Sequence, residues 1–303
     1  MTRTRVSVLA AMLTGVVVVG VLVALAATRP ATVSSTWPRV EPLPDAERPS
    51  AQPTAPGGTL TPCPQGSRLT AMTFNIHFGK TARGEPGLDR IAREIRAWAP
   101  DVVVLNEVDR GRGRSGGVAQ ARVLGQRTGM HAAYGPNRRY GGGWSGNAVL
   151  SRLPVVRSGN RALPFVEGTI PRGLLRVTVD LDGVPVDVFA THFENSSPAA
   201  RRRQAREVAR TVSRSPRPFV LGGDLNASPG GVALQVLDRA GVVDAWTQVG
   251  RGDGFTVPAW APRKRIDYLL SDERLLPRRS EVLLSQVSDH RPVRTVFDVA
   301  ASC

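Results

Sequence analysis

The pattern of apolar and polar positions predicts a domain of short strands and a few helices after residue 68. Apolar runs, alternating with polar residues or continuous, predict strands at residues 69–76, 101–106, 147–151, 174–181, 184–192, 218–221, 266–270, 281–284 and 292–297. Asp182-Gly183 separates two of these runs and predicts a tight hairpin turn.

Three segments between the strands carry helix signals. The first is defined by apolar residues at helical spacing: Leu88, Ile91, Ile95 and Trp98. Pro100 ends this segment, and a second helix is predicted at residues 118–128, ended by Gly129. Ser197 and Pro198 supply the N-cap and the first position of a third. Hairpins mixed with strand–helix units predict an α/β (α+β) fold of two mostly antiparallel sheets with helices outside.

The N-terminal residues 1–27 contain an uncharged apolar run, residues 6–27, long enough to span a bilayer as a helix. Arg3 and Arg5 precede this run and orient the N-terminus towards the cytoplasm. A cleaved signal peptide is the alternative, because Ala24-Leu25-Ala26 resembles a cleavage site. Both interpretations export the rest of the chain, so we expect an extracytoplasmic protein, anchored in the cell membrane or secreted if the segment is cleaved.

Residues 28–67 are rich in Pro, Ser, Thr and Ala without hydrophobic periodicity, which predicts a disordered linker. The folded domain is then residues 68–303, long enough to bury one substantial core. The chain's 2 cysteines, Cys63 and Cys303, lie at the two ends of this domain. In an oxidising compartment they predict a disulfide that joins the ends, and two unpaired thiols are the alternative.

The chain is strongly basic, with a formal net charge of +15 at pH 7. Residues 1–66 contain five Arg against three acidic residues, a net +2, which leaves +13 for the folded domain. Such a surface favours polyanions or anionic lipids, although charge alone does not choose among DNA, RNA and phospholipid.

Two segments carry the strongest chemical signals: Gly222-Gly223-Asp224-Leu225-Asn226 and Ser288-Asp289-His290. Each follows an apolar run that predicts a buried strand, residues 218–221 and residues 282–284. A carboxylate, an amide and an imidazole at strand ends suit magnesium-dependent phosphate cleavage. Magnesium prefers oxygen ligands, and histidine transfers protons near neutral pH.

Asn75 and Glu107 are candidate polar groups on the first two strands. Alternation places Asn75 and His77 on one face of the first strand, and a satisfied core amide is the alternative for Asn75. Glu107 follows the strand at residues 101–106, where a carboxylate is unfavourable unless it is paired or bound to metal. An exposed glutamate at a strand end is the alternative there.

Three further candidates have equally plain structural alternatives. Asn147 follows the glycine-rich residues 141–143, which would let backbone approach a phosphate but also suit a flexible hairpin. His192 ends the strand at residues 184–192 and is either a site residue or structural. Asp267 begins a strand and either orients His290 or pairs with its basic neighbours.

The order of these motifs resembles the endonuclease/exonuclease/phosphatase superfamily of deoxyribonuclease-I-like, metal-dependent hydrolases. The resemblance covers residues 70–297 and implies a four-layer sandwich with the site in a cleft between the sheet edges. Two features depart from the family pattern. Asn106 precedes Glu107 where glutamine is commoner, and the chain is compact, without a long substrate-gripping insertion.

The resemblance also implies roles in metal binding and in activation of water. Glu107 would hold a divalent metal, Mg²⁺ with Mn²⁺ as the alternative, and Asn75 and Asp289 would lie nearby. Asp224, helped by Asn226, would orient or deprotonate the attacking water.

The remaining implied roles concern the phosphate. His290, steered by Asp267, and His192 would contact the phosphate and transfer protons, and Asn147 would bind a phosphate oxygen. Which histidine is the acid and which the base stays open, as do one metal or two and endo or exo action.

The resulting hypothesis is an exported, membrane-tethered, monomeric phosphodiesterase that acts on nucleic acid, with no protein partner evident. A phospholipid or sphingolipid phosphodiesterase, or a phosphatase at the membrane surface, is the alternative. In that case Trp144 or Trp260 would enter the bilayer, unless they pack within the protein. A non-catalytic scaffold is the third reading, against which stand the intact Glu107, Asp224 and His290.

Overall fold

The structure is a computed structural model that describes residues 67–299. Two six-stranded sheets pack face to face, with helices on the outer faces. In chain order the strands are β1 (Arg68–Asn75), β2 (Val102–Arg110), β3 (His131–Tyr140), β4 (Gly143–Ser151), β5 (Val155–Ala162), β6 (Gly173–Leu181), β7 (Val184–His192), β8 (Phe219–Asp224), β9 (Val243–Asp244), β10 (Asp267–Ser271), β11 (Leu275–Val282) and β12 (Val293–Val299). The helices are α1 (Leu88–Trp98), α2 (Gln120–Thr128), α3 (Pro198–Val212), α4 (Val232–Asp238) and α5 (Ala245–Val249).

The strand order is β11-β12-β1-β2-β4-β3 in the first sheet and β5-β6-β7-β8-β10-β9 in the second. Each sheet contains one parallel pair, β1 with β2 and β7 with β8, and its other neighbours are antiparallel. This arrangement confirms the predicted sandwich of two mostly antiparallel sheets. Parallel neighbours end at the same edge of a sheet, and these two edges carry the candidate site.

Three apolar layers account for the four-layer arrangement. Between the sheets lie inward-facing residues of both, among them Val104, Val188 and Phe297. Ile91 and Ile95 of α1, with residues of α2, cover the outer face of the first sheet. The face of α3 that carries small and aliphatic side chains, together with α4, covers the outer face of the second sheet. Burial on both faces explains why the central strands are almost continuously apolar.

The local signals end the helices and turns where the sequence predicts. Ala99 and Gly129, in left-handed conformation, follow α1 and α2. Ser197 Oγ accepts the Ala200 backbone N–H at 3.2 Å and caps α3. Asp182-Gly183 forms the β6–β7 turn with φ of 52° and 88°, as a tight hairpin requires.

Two strand predictions were misplaced. The strand predicted at residues 281–284 is the C-terminal end of β11, which begins at Leu275 and ends at Val282. Leu284 lies outside the sheet and is 81% exposed, so the apolar run at residues 282–284 is not a buried strand. The first strand ends at Asn75, and His77 lies in a short 3₁₀ turn, so strand alternation does not apply to it.

Several predictions lie outside the described residues. These are the apolar run at residues 6–27, nearly all of the predicted linker, and both cysteines, Cys63 and Cys303. Across residues 67–299, no helix combines the length and apolar character that a membrane crossing needs.

Candidate active site

Asp224, the last residue of β8, lies between site residues of its two neighbouring strands. His192 at the end of β7 and Asp267 at the start of β10 are both its partners in the sheet register. On the facing sheet, Asn75 ends β1 and is in register with Asn106 of β2. Asn106 Oδ1 accepts the Asp224 backbone N–H at 2.8 Å, so the two strand edges are joined at the site.

The Asp224 carboxylate is buried and accepts hydrogen bonds on both oxygens. Oδ1 accepts the Asn226 backbone N–H at 2.9 Å, and Oδ2 accepts Asn75 Nδ2–H at 3.2 Å. Burial, and then the charge of Asp267, raises the pKa of Asp224 to about 7, although the nearby His290 opposes the shift. Its protonation therefore changes near neutral pH, as suits a general base.

His290 and Asp267 form a buried pair, as the sequence suggested. His290 Nδ1 lies 2.8 Å from Asp267 Oδ2, which also accepts Thr256 Oγ1–H at 2.6 Å. Burial opposes a charged ring, but the charge and hydrogen bond of Asp267, with the charges of Asp224 and Asp289, raise the pKa of His290 to about 10. His290 is therefore an imidazolium at neutral pH, and its Nε2 lies 3.8 Å from Asp224 Oδ2.

His192 has the opposite protonation state. Burial, and then the positive charges of Arg172 and His290, hold the pKa of His192 well below its usual value of 6.5. Asn226 Nδ2 lies 3.0 Å from His192 Nε2, so the amide donates to a neutral ring. His192 Nε2 is also 3.5 Å from Asp224 Oδ2, but a neutral ring forms no ion pair there.

Glu107 and the loop of Asp289 are each linked to Asn75, which also contacts Asp224. The strand β2 was predicted to end at residue 106 but continues to Arg110. Glu107 lies in a bulge within it, with a left-handed φ of 57°. Asn75 Nδ2 lies 3.4 Å from Glu107 Oε1. Ser288 Oγ donates to the Asn75 carbonyl at 2.7 Å and lies 3.1 Å from Asp289 Oδ1, which ties the loop of Asp289 to β1.

Glu107 and Asp289 carry oxygen donors of the type that a divalent cation prefers. Within residues 67–299, neither Glu107 nor Asp289 forms an ion pair with Arg or Lys, so their oxygens are available as hard ligands. Ligand atoms of Asp224, Asp267 and His290 also lie within 4.8 Å of one another. A charged His290 already bonded to Asp267 is a poor ligand, and the carboxylates of Glu107 and Asp289 lie outside this group.

Asn147 is buried. Its Nδ2 donates to the carbonyls of Gly173 and Ala190 at 3.1 and 3.3 Å, and its Oδ1 accepts Asn106 Nδ2–H at 2.9 Å. The amide thus bridges the two sheets, and a phosphate contact would require it to give up these bonds. The glycine-rich residues 141–143 form the β3–β4 hairpin turn, which was the alternative given for them.

Two residues near the site carry roles that the sequence did not indicate. Asn106 is fully buried and links both sheets, since its Nδ2 also donates to the Thr191 carbonyl at 2.8 Å. Arg172 Nε is buried without a hydrogen-bond partner among the described residues and lies 3.7 Å from Glu194 Oε2. Burial lowers the pKa of Arg172 against the opposing charges of Glu194, Asp224 and Glu107, so its cation belongs to this cleft.

Known proteins are similar to this chain in sequence or in fold. The family model described as "Endonuclease/Exonuclease/phosphatase family" matches residues 72–290. The protein cwh43 of Schizosaccharomyces pombe is 33% identical over 183 residues, which cover 60% of this chain and 18% of that protein. The chain therefore spans about a fifth of that relative's length.

Solved structures agree with the family match. An endonuclease/exonuclease/phosphatase from Beutenbergia cavernae is 29% identical with a TM-score of 0.64, covering 78% of this chain and 72% of that one. D. rerio TDP2, solved with a single-strand DNA product, is 20% identical with a TM-score of 0.63, covering 76% and 99%, and shows the shared fold. The chain belongs to the endonuclease/exonuclease/phosphatase family, phosphoester hydrolases that typically depend on a divalent metal.

Proposed function

We propose that the chain is an exported, metal-dependent phosphodiesterase that cleaves nucleic acid. The observation that carries the chemistry is the buried row His192, Asp224, Asp267 and His290 beside the oxygen donors of Glu107 and Asp289. A bound divalent cation would supply Lewis-acid stabilisation of charge on the phosphate oxygens.

Asp224 is the group that orients and deprotonates water. Its oxygens are fixed by Asn226 and Asn75, and its pKa of about 7 makes it a base at neutral pH. His290, charged and held through Nδ1 by Asp267, offers Nε2–H to a phosphate oxygen. Preorganised donors of this kind act strongly because they need no reorganisation when charge develops.

The choice of nucleic acid rests on a basic hairpin beside Glu107, defined as Arg110, Arg138, Arg139 and Tyr140 at the ends of β2 and β3. The exposed Tyr140 ring lies between two guanidinium groups, 4.9 Å from Arg112 Cζ and 4.5 Å from Arg138 Cζ. Arg110 is three residues from Glu107, roughly 10 Å along the strand. Interleaved arginine and aromatic side chains suit a single strand of nucleotides.

The lipid alternative is favoured by one observation at the rim of the site. Trp260 is 59% exposed, and its neighbour Ala259 donates its backbone N–H to the Asp289 carbonyl. Trp144, the other candidate, packs against the core under the first sheet. A phospholipid phosphodiesterase therefore remains the second candidate function.

Substrate panels separate these candidates. The full-length chain should hydrolyse single-stranded DNA or RNA with Mg²⁺ or Mn²⁺ and leave phospholipid vesicles and phosphate monoesters intact. Arg138→Gln should raise KM for polynucleotide and flatten its salt dependence, because each lost phosphate contact reduces counterion release. Arg203→Gln, an exposed arginine on α3, is the matched control. Hydrolysis of vesicles instead would favour the lipid candidate.

Metal dependence is predicted to act through Glu107. Chelation should abolish turnover, and Glu107→Gln should reduce it at saturating metal, because the substitution removes the charge of the metal ligand. Glu273→Gln, on an exposed turn, is the matched control and should leave turnover unchanged. Full activity of the chelated protein would contradict the prediction.

The proposed location is outside the cytoplasm, with residues 6–27 as an anchor or cleaved signal. Protease accessibility in intact cells and N-terminal sequencing of the recovered protein test export and cleavage separately.

A further inference from the structure

A basic groove lies between β11, α5 and the loop that follows α5, and we call it the edge groove. Its volume is about 730 Å³, within the range of pockets that bind small molecules and cofactors. Two aromatic side chains, Trp246 and Phe255, are part of its lining. The lining also contains four arginines against two acidic residues, a net charge of +2: Arg251, Arg278, Arg279 and Arg291 against Asp253 and Glu281.

Two of these four arginines carry charges that no ion pair neutralises. Arg278 and Arg279 each pair with a carboxylate at 2.7 Å. Within residues 67–299, neither Arg251 nor Arg291 forms an ion pair. Guanidinium groups bind phosphate through paired hydrogen bonds, and aromatic faces stack on nucleotide bases. The lining of the edge groove therefore suits nucleotides of a single strand.

The edge groove begins one residue from the catalytic pair. Arg291 follows His290, so the two Cα atoms are about 3.8 Å apart. The Arg291 backbone N–H donates to the Thr256 carbonyl at 2.8 Å, and Thr256 Oγ1 donates to Asp267 Oδ2 at 2.6 Å. Arg291 Nε donates to the Ala259 carbonyl at 2.7 Å, which fixes the guanidinium in the groove lining. A strand that leaves the site on this side therefore meets a positioned positive charge.

The edge groove and the basic hairpin lie on opposite sides of the site. β11 and β3 are the two edges of the first sheet, and β1 and β2, which carry Asn75 and Glu107, lie between them. The strand pairings make β3 and β11 run in the same direction as β1 and β2, so all four end at the edge that carries the site. A polynucleotide bound to both surfaces must therefore pass over the site.

We propose that the edge groove binds the polynucleotide beyond the scissile bond, so that the strand runs from the basic hairpin across the site into the groove and is cut internally. Each cut adds one water across a bridging P–O bond and leaves one hydroxyl end and one phosphate end. The inference rests on the proposed function and adds to it a second binding region and endonucleolytic action.

The dimensions of the sheet set the length of strand that the protein binds. Six strands spaced by about 4.8 Å place the two sheet edges roughly 24 Å apart. Phosphates of one stacked strand are about 3.4 Å apart along the axis, so about seven nucleotides span this distance. KM of the wild type should therefore fall as the substrate lengthens to about seven nucleotides and then level off.

A circular substrate tests internal cleavage, because a circle has no ends. The full-length chain, with Mg²⁺ or Mn²⁺, is given a circular single strand and the linear form of the same sequence, both as DNA and as RNA. We expect the circle to be opened and then shortened, at an initial rate close to that of the linear strand. A circle that stays intact while the linear strand is shortened from an end overturns the inference and leaves the proposed phosphodiesterase intact.

Arg251→Gln tests the edge groove itself. Arg251 is exposed and forms no ion pair with a described residue, so the variant should fold, which circular dichroism checks. It should raise KM for long strands several-fold, reach its plateau at a shorter length, and reduce the slope of log KM against log salt concentration by about 0.7, the share of one phosphate contact on a single strand. Arg203→Gln is again the matched control and should behave as the wild type.

The outcomes separate the inference from the proposed function. Equal KM, plateau length and salt slope in Arg251→Gln and Arg203→Gln overturn the groove as a binding region. The Arg138→Gln/Arg251→Gln double variant should show the product of the two single changes in KM, since distant contacts act independently. A double variant no worse than Arg138→Gln alone also overturns the inference, because the strand then does not reach both surfaces. Hydrolysis of phospholipid vesicles but of no polynucleotide overturns both proposals.

Discussion

At the residue scale, the site gives its two histidines opposite protonation states through what each ring contacts. His290 is bonded to the Asp267 carboxylate and is charged, whereas His192 receives an amide hydrogen from Asn226 and is neutral. Asp224 lies between the rings with a pKa of about 7. A proton donor and a proton acceptor are therefore present together at neutral pH.

Substitutions test whether His290 and Asp267 act as a pair. His290→Ala should lower kcat by a factor of about 10²–10⁴, and Asp267→Asn should do smaller damage, because it spoils orientation but keeps the ring. The double variant should be little worse than His290→Ala, since the two residues act as a unit. Steady-state kinetics on all three, with folding checked by circular dichroism, is the measurement. Strictly additive losses would show that the two residues act independently.

The sequence predicted Asn75, His192 and Asp224 as site residues because each lies at the end of an apolar strand, a local signal. Asp289 and His290 were predicted from an apolar run that is not a buried strand. Asn106 was noted only as a departure from the family pattern, since a buried amide that joins two sheets is visible only in three dimensions. Arg172 was missed because its ion pair with Glu194 joins residues at the two outer ends of the β6–β7 hairpin. A charged residue immediately before the apolar strand β6 is the signal that could have found it.

At the element scale, the parallel contact of β7 with β8 positions the site. Gly223 is in register with Thr191, one residue before the His192–Asp224 pair. Its φ of 147° is open to glycine, and a Cβ there would lie 1.8 Å from the Thr191 carbonyl oxygen. The strands approach closely at this point because Gly223 has no side chain.

Gly223→Ala should therefore destabilise the fold by about 2 kcal/mol or more and lower activity, as overpacking of a fixed backbone does. Gly113→Ala is the matched control, because nothing lies within 4 Å of its added Cβ. Chemical denaturation measures the free energy of unfolding of each variant, and kcat reports whether the active site is intact. Equal stabilities of the two variants would show that β7 and β8 separate without penalty.

The strands that the sequence missed include β3 and β5, and their positions explain why. Each lies at an edge of its sheet, where only one neighbour and part of one face are apolar. Gly135 and Pro136 interrupt β3, a composition that edge strands tolerate and central strands do not. The central strands were predicted because burial on both faces makes their apolar runs conspicuous.

At the scale of the whole molecule, the buried charges make stability of the metal-free protein depend on pH. Asp224 titrates near 7 in the folded state but near 3.8 when unperturbed, so the folded protein binds an extra proton between these values. His290 does the same between 6.5 and about 10. The contribution of each of these two groups to the free energy of unfolding should therefore fall as pH rises through its window, since the folded state binds more protons. His192, which burial keeps neutral, contributes in the opposite direction below pH 6.5.

Asp224→Asn should remove the lower of these two windows. In chelator, the melting temperature of the variant relative to the wild type should rise by a few degrees from pH 4 to pH 8, because only the wild type loses the contribution of Asp224. Asp253→Asn, on an exposed loop, is the control and should follow the wild type. Parallel curves for the wild type and Asp224→Asn would contradict the raised pKa.

The two ends of the described domain bear on the predicted disulfide, whose cysteines lie outside the described residues. β1 and β12 are antiparallel neighbours, with Arg68 in register with Asp298, and the Val299 N–H donates to the Ser67 carbonyl at 3.0 Å. In the sequence, Cys63 is four residues before Ser67 and Cys303 is four residues after Val299. Because the domain ends are adjacent, short segments suffice to bring the two sulfurs together.

We therefore predict that Cys63 and Cys303 are bonded if the protein is exported as proposed. Closing a loop of this length contributes about 5.5 kcal/mol in the chain-entropy model, and reductant should lower the melting temperature accordingly. The Cys63→Ser/Cys303→Ser double variant is the control, since its melting temperature should match that of the reduced wild type and not respond to reductant. Peptide mapping without reduction identifies the bond, and two alkylatable thiols in the native exported protein would contradict it.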